Sequence, residues 1–193
     1  MLNPVQIISE QDYLDGERLS EIKHEYLDGD VYAMAGASKT HGTLALNAAI
    51  AIRQHLRGKP CGVWMADMKV RVAADNAYYY PDLVATCDAD DLKPSAPQDY
   101  LQAPCLIIEV LSESTETIDR KEKLRSYRQL ASLQEYVLID QTRPWVELYR
   151  LTDQGWLHQI IQEDEEIELH SIGLKLSAEA LYQDTGLLDA AGG

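Results

Sequence analysis

The chain has 193 residues, 46% hydrophobic and 25% charged, with a formal net charge of −15. Such a length and composition suit one globular domain with its own core, and no apolar run nears the roughly 18 residues that a membrane span requires. The acidity weighs against a nucleic-acid partner, since phosphate binding wants a basic footprint, although acidic surfaces also serve solubility alone.

The N-terminal stretch MLNPVQIISEQDYLDGE has neither the basic region nor the long apolar core of a secretory signal, which points to the cytosol. Ser9 with Asp12 forms a variant capping box that opens a short helix over residues 10–16. In HEYLDGDVYAMAG, Asp28-Gly29 between alternating segments signals a hairpin. Residues 41–56 read as a helix with Leu44, Asn47, Ala48, Ala51 and Leu56 on one side, stopped by Gly58-Lys59-Pro60. Strand-like runs follow at 61–72, 78–86 and 105–111, separated by polar loops, of which 88–104 is a long surface excursion. Ile118, Leu124, Tyr127 and Leu130 at helical spacing mark a helix over 116–131. Strands at 135–140, 145–151 and 156–162 and a short helix at 177–182 complete the pattern. The expected architecture is α/β (α+β): a mixed sheet flanked by helices, with an N-terminal helix and hairpin. Residues 1–188 form one domain, and the tail DAAGG at 189–193 should fray. Cys61, Cys87 and Cys105 make no C-x-x-C pair and are too few and scattered for a disulfide framework, so all three are expected as plain core residues.

Two strands carry acids where apolar residues belong. In PCLIIEVLSEST the run from Leu106 to Leu111 is apolar apart from Glu109, and in YYYPDLVATC Asp82 directly follows Pro81. An ionised carboxylate buried without a partner costs several kcal/mol. If the two strands are neighbours, the two acids share one region, and a close pair requires a proton or a cation between them. A hard divalent ion, Mg²⁺ or Mn²⁺, suits oxygen ligands best. The bland alternatives are that Asp82 caps a turn and Glu109 pairs with an arginine. Further on, DRKEKLRSYRQ gathers Arg120, Lys121, Lys123, Arg125 and Arg128 in a chain with only 17 basic residues. Asp119 and Lys123 stand at the i, i+4 spacing of a helical ion pair. The cluster is either a solvated helix face or a phosphate-binding surface with Lys123 turned toward the carboxylates.

The segments YYYPDLVATCD and PCLIIEVLSESTETIDRKEKLRSYRQLASLQEYVLID resemble the Uma-two family, a large, especially cyanobacterial group of restriction-endonuclease-like proteins within the PD-(D/E)XK nuclease superfamily. The likeness runs from EYLDGDVYAMAGAS through SIGLKLS. It implies a restriction-endonuclease-like core and a Mg²⁺- or Mn²⁺-dependent endonuclease. Asp82 and Glu109 would hold the ion, with the Val110 carbonyl as a third ligand. The ion would polarise the scissile phosphodiester and activate a water. The superfamily places a lysine two residues after the acid, where this chain has Leu111. Lys123, in the matching D-x-x-x-K-L, is the first replacement to consider and Lys69, in MADMKVRV, the second. Glu25 and His41 also match family positions. Glu25 would join the site or stay an exposed hairpin acid. His41 would orient a ligand or phosphate, or make a structural bond at a helix start. Tyr127 is expected to pack its ring on the core. Nucleases of this kind often act on DNA as homodimers. Competing readings are a catalytically silent interaction protein that keeps the fold, favoured by the acidity and the missing lysine, and a hydrolase of small phosphate esters.

Overall fold

The computed structural model describes residues 7–34 and 36–188; the tail expected to fray at 189–193 lies outside the described residues. Helix α1 (Glu10–Glu17) is capped by Ser9, whose Oγ accepts from the Asp12 N–H at 3.1 Å. Strands β1 (His24–Leu27) and β2 (Asp30–Ala33) form the expected hairpin. Its turn residues Asp28 and Gly29 both take positive φ, 47° and 103°, as a two-residue turn matched to strand twist requires. Helix α2 (Lys39–His55) starts two residues earlier than expected, because Ser38 accepts the His41 N–H and caps it.

The runs at 61–72 and 78–86 are each not one strand but two, and both change sheets. The first divides into β3 (Gly62–Met65) and β4 (Lys69–Val72), the second into β5 (Ala77–Tyr79) and β6 (Leu83–Thr86). Pro81 sits at the second break, where no strand donor is needed. Ala66 sits at the first, in the left-handed region at φ 55°, a conformation that costs a non-glycine residue roughly 1–2 kcal/mol. Its N–H donates to the Asp82 carbonyl at 3.0 Å, so each break braces the other.

The 88–104 excursion holds a short helix, α3 (Ala89–Leu92), and a short strand, β7 (Tyr100–Leu101). The buried Asp91 carboxylate ties it down by accepting the Gln102 and Ala103 N–H groups. Next come β8 (Leu106–Leu111) and a helical stretch made of α4 (Glu116–Ile118), a π turn (Asp119–Lys123) and α5 (Leu124–Tyr127), which stops four residues short of the expected end. Strands β9 (Glu135–Asp140), β10 (Trp145–Thr152) and β11 (Gly155–Gln162) follow. The chain closes with β12 (Glu166–Leu169), β13 (Leu174–Ser177) and α6 (Ala178–Tyr182).

One mixed sheet runs β11-β10-β9-β8-β6-β3 and another β2-β1-β5-β4-β7, beside the β12-β13 pair. The β8–β9 pairing is parallel, and the helical stretch α4–α5 makes the crossover that parallel strands require. Alternation along β8 assigns its faces. Leu106, Ile108 and Val110 join the core built on α2 and the C-terminal elements. Ile107 and Leu111 join the core that includes Tyr127 and strands β4 and β5 of the other sheet.

The cysteine expectation needs correcting: Cys61 and Cys87 form a disulfide, and Cys105 alone is free and buried. Gly62 pairs with Thr86 across β3 and β6, so one register step outward sets Cys61 directly opposite Cys87. Cross-strand neighbours at a sheet edge need no disulfide-rich framework to bond.

Candidate active site

On β8 Glu109 shares the face of Ile107 and Leu111, toward α5. On β6 Leu83 pairs with Ile108, so one further step in the same register sets Asp82 opposite Glu109. Each acid binds the backbone of the other's strand: the Asp82 N–H donates to Glu109 Oε2 at 3.1 Å, and the Val110 N–H to Asp82 Oδ2 at 2.7 Å. Val110, expected to lend its carbonyl, meets the site through this N–H.

The π turn carries Lys123 into the acids. Its Nζ lies 2.9 Å from Glu25 Oε1, 3.3 Å from Glu109 Oε1 and 3.3 Å from Asp119 Oδ1. Glu25 reaches in from β1, its Oε1 also accepting the Tyr80 N–H at 3.1 Å. His41, in the first turn of α2, holds Asp82 Oδ1 through Nε2 at 2.8 Å, while its buried Nδ1 has no hydrogen-bond partner among the described residues. The Tyr127 hydroxyl donates to Glu109 Oε1 at 3.3 Å.

Three carboxylates, those of Glu25, Glu109 and Asp119, thus gather around one ammonium group, with Asp82 beside Glu109. Burial raises the Glu109 carboxyl well above its ordinary value, and Asp119, Asp82 and Glu25 push the same way against the opposing Lys123. Burial alone would lower Lys123, yet Glu109, Glu25 and Asp119 together hold it well above its ordinary value. Its ammonium form is therefore secure at neutral pH. Among the described residues, no group of three or more His, Cys, Asp or Glu side chains is arranged to hold a metal ion.

Asp82, Glu109, Lys123, Glu25 and His41 therefore come together. Lys69, the second lysine considered, does not reach the acids: it is buried against the Tyr80 hydroxyl at 3.3 Å and Asp99 at 3.8 Å, because β4 belongs to the other sheet. The basic cluster divides: Lys123 turns inward, while Lys121, Arg125 and Arg128 are exposed. Arg120 is engaged by Glu116 and Glu147, and Arg128 lies over the rings of Tyr149 and Trp156. Arg125 is 73% exposed with Asp75 at 3.8 Å, and Lys121 is exposed. Sequence reasoning did not find that Asp119 is buried in the site or that Tyr127 turns its hydroxyl to Glu109. The signal available was D-x-x-x-K-x-x-x-Y, whose successive members stand at i, i+4.

The α+β fold of mixed sheets flanked by helices is shared with a solved structure from Anabaena variabilis, described as a putative nuclease belonging to DUF820. The TM-score is 0.74 at 18% identity, covering 93% of this chain and 98% of that one, a likeness of fold. The family model Uma2, described as "Putative restriction endonuclease", matches residues 10–179, and the chain belongs to that family. Two uncharacterized Synechocystis sp. proteins are close in sequence. One, slr1290, is 36% identical over 181 residues, covering 93% of this chain and 94% of its own length. The other, sll1609, is 32% identical over 165 residues, covering 84% and 93%.

Proposed function

We propose that the protein is a metal-dependent endonuclease that hydrolyses DNA phosphodiester bonds at Asp82, Glu109 and Lys123. One observation carries this reading: two carboxylates opposite each other on neighbouring strands, with a buried ammonium 3.3 Å from one of them. The donor set suits Mg²⁺ or Mn²⁺, since Mg²⁺ takes one or two carboxylates and completes its sphere with water and substrate oxygens. Asp82 and Glu109 would hold the ion, the Val110 carbonyl being the third ligand that the family resemblance implies. When bound, it would act as a Lewis acid toward the phosphoryl oxygen and lower the pKa of its water.

The chain's own residues have distinct tasks. Lys123 presents fixed positive charge where negative charge grows on the phosphate during attack. Glu25 and Asp119 hold its ammonium in place, and His41 holds Asp82. Lys121 and Arg125 are the DNA-backbone contacts, beside Arg128, which is exposed while lying over Tyr149 and Trp156; Arg120 supports the surface that presents them. A homodimer would supply two such centres for cutting both strands.

The test is nicking of supercoiled plasmid in Mg²⁺ or Mn²⁺. Wild type should cut, Asp82→Ala and Glu109→Ala should be inactive, and Lys123→Ala should be slower by about 10²–10³-fold. Wild-type cutting by Glu109→Ala would remove the catalytic assignment. The net charge of −15 and Leu111 at the superfamily's lysine position favour a second reading, a silent interaction protein. Absence of cutting by wild type in either ion would move the function there.

A further inference from the structure

Glu109 Oε1 receives two donors from one helical stretch, Lys123 Nζ and the Tyr127 hydroxyl, each at 3.3 Å. The chain contains 11 tyrosines and no phenylalanine, so tyrosine at a core position carries no message by itself. The direction of its hydroxyl does. The Tyr127 ring is fully buried, edge-on to Tyr79 and to Tyr136 with centroids 5.4 Å away in each case. Its position is thus fixed by packing that a phenylalanine ring could provide equally well, and the hydroxyl adds only the bond to Glu109.

The backbone is shaped to deliver that bond. In a regular α-helix, residues eight apart have turned by roughly 80° relative to each other, at 3.6 residues per turn. Asp119, Lys123 and Tyr127 would then spread around the helix. The wider turn over Asp119–Lys123 offsets this drift, so Asp119 and Lys123 meet as an ion pair while Lys123 and Tyr127 meet the same carboxylate oxygen. Such π turns recur at functional sites.

We propose that the Tyr127 hydroxyl is a positioning residue for Glu109, holding its carboxylate in the orientation that faces Asp82 and receives the divalent ion. This rests on the metal-site reading above. Removing a hydrogen bond that orients a metal-ligating side chain typically costs 10–100-fold in metal affinity or activity.

The experiment is Mn²⁺ titration of the DNA-free protein by calorimetry, with Tyr127→Phe, Tyr136→Phe and Glu109→Gln beside wild type, together with melting in chelator and plasmid nicking. Tyr127→Phe should weaken Mn²⁺ binding by about 10-fold or more and slow nicking at saturating DNA while leaving the DNA KM measured at saturating Mn²⁺ unchanged. Tyr136→Phe removes a hydroxyl equally buried in the same ring stack, whose bond goes to the Asp119 carbonyl, and should leave Mn²⁺ affinity unchanged. Wild-type Mn²⁺ affinity in Tyr127→Phe, with binding lost in Glu109→Gln, would overturn the Tyr127 role and leave the metal site standing. Equal loss in both tyrosine variants would also overturn it, as a packing effect. Unchanged binding in Glu109→Gln, or no binding by wild type, would overturn the metal site and this role with it.

Discussion

Replacing Lys123 by methionine tests whether its ammonium neutralises the acids. Methionine keeps much of the apolar stem and deletes the charge. In the wild type the Lys123 side chain is 6% exposed and its partners Glu109, Asp119 and Glu25 are 4%, 3% and 16% exposed, so solvent screens these contacts little. Removing one member of a buried ion pair costs about 3–5 kcal/mol, because the abandoned charge remains buried. At about 2–4 °C per kcal/mol for a chain of this size, the variant should melt roughly 6–20 °C below wild type in chelator at pH 8. The pH dependence follows from the acids. Lys123 is held well above its ordinary value, so its contribution is fully present below the unfolded-state value and is lost only at strongly alkaline pH. Between pH 8 and pH 5 wild-type Lys123 therefore stays charged, while the variant's stranded carboxylates can take up protons, and the gap should narrow. The double variant Lys123→Met with Glu109→Gln should recover part of the loss, since one of the unpaired acids is gone. A Lys123→Met protein melting with wild type at pH 8 would refute the view that this ammonium offsets the acid cluster.

Other expectations follow from the same contacts. Reducing the Cys61–Cys87 bond, which spans 26 residues, should cost about 3.5 kcal/mol in the chain-entropy model, seen as a lower Tm with a thiol reductant; a Cys61→Ser protein should melt with reduced wild type and be insensitive to the reductant. The fully buried Glu135 accepts from Arg150 at 2.7 Å, the His170 and Ser171 N–H groups at 3.0 and 2.8 Å and the Ser171 hydroxyl at 2.5 Å, so Glu135→Ala should lose about 3–5 kcal/mol in urea unfolding by stranding Arg150. A raised folded-state value means that Glu109 contributes stability at pH below the ordinary carboxylate range and loses it as pH rises. In chelator, Glu109→Gln should therefore melt above wild type at pH 8, with the difference closing toward pH 4. If Lys121 and Arg125 are the main phosphate contacts, DNA affinity should fall with log salt at a slope of about −2, and Lys121→Ala should reduce that slope by about 1.

Elements with a local cause were legible in the sequence. The Asp28-Gly29 turn needs two positive φ values, and Ser9 has a nearby N–H to cap, so both can be read within a few residues. Misread features depended on partners distant in the chain. The runs at 61–72 and 78–86 look continuous because each carries strand-like apolar residues before and after its break, yet Ala66–Met68 and Tyr80–Asp82 carry the chain from one sheet to the other. Pro81 hinted at the second break; nothing comparable stands at Ala66, whose left-handed backbone ordinarily calls for glycine. The disulfide was missed for the same reason: pairing of Cys61 with Cys87 follows from the β3–β6 register, which spacing along the chain does not encode.

The acids were legible because they violate strand pattern, and an acid on an otherwise apolar run stands out whatever lies around it. What surrounds them was harder to read. A charged helix face and a buried charged face have the same composition, so DRKEKLRSYRQ could not reveal which of its cations turn inward. The geometry distributes them: Lys123 to the acids, Arg120 to Glu116 and Glu147, with Lys121, Arg125 and Arg128 at the surface, the last over two aromatic rings. That distribution also bears on the acidity. A centre that holds the acids Asp82, Glu109, Glu25 and Asp119 with one lysine ammonium repels a phosphate until more positive charge arrives, so DNA approach and divalent-ion binding should be coupled rather than independent.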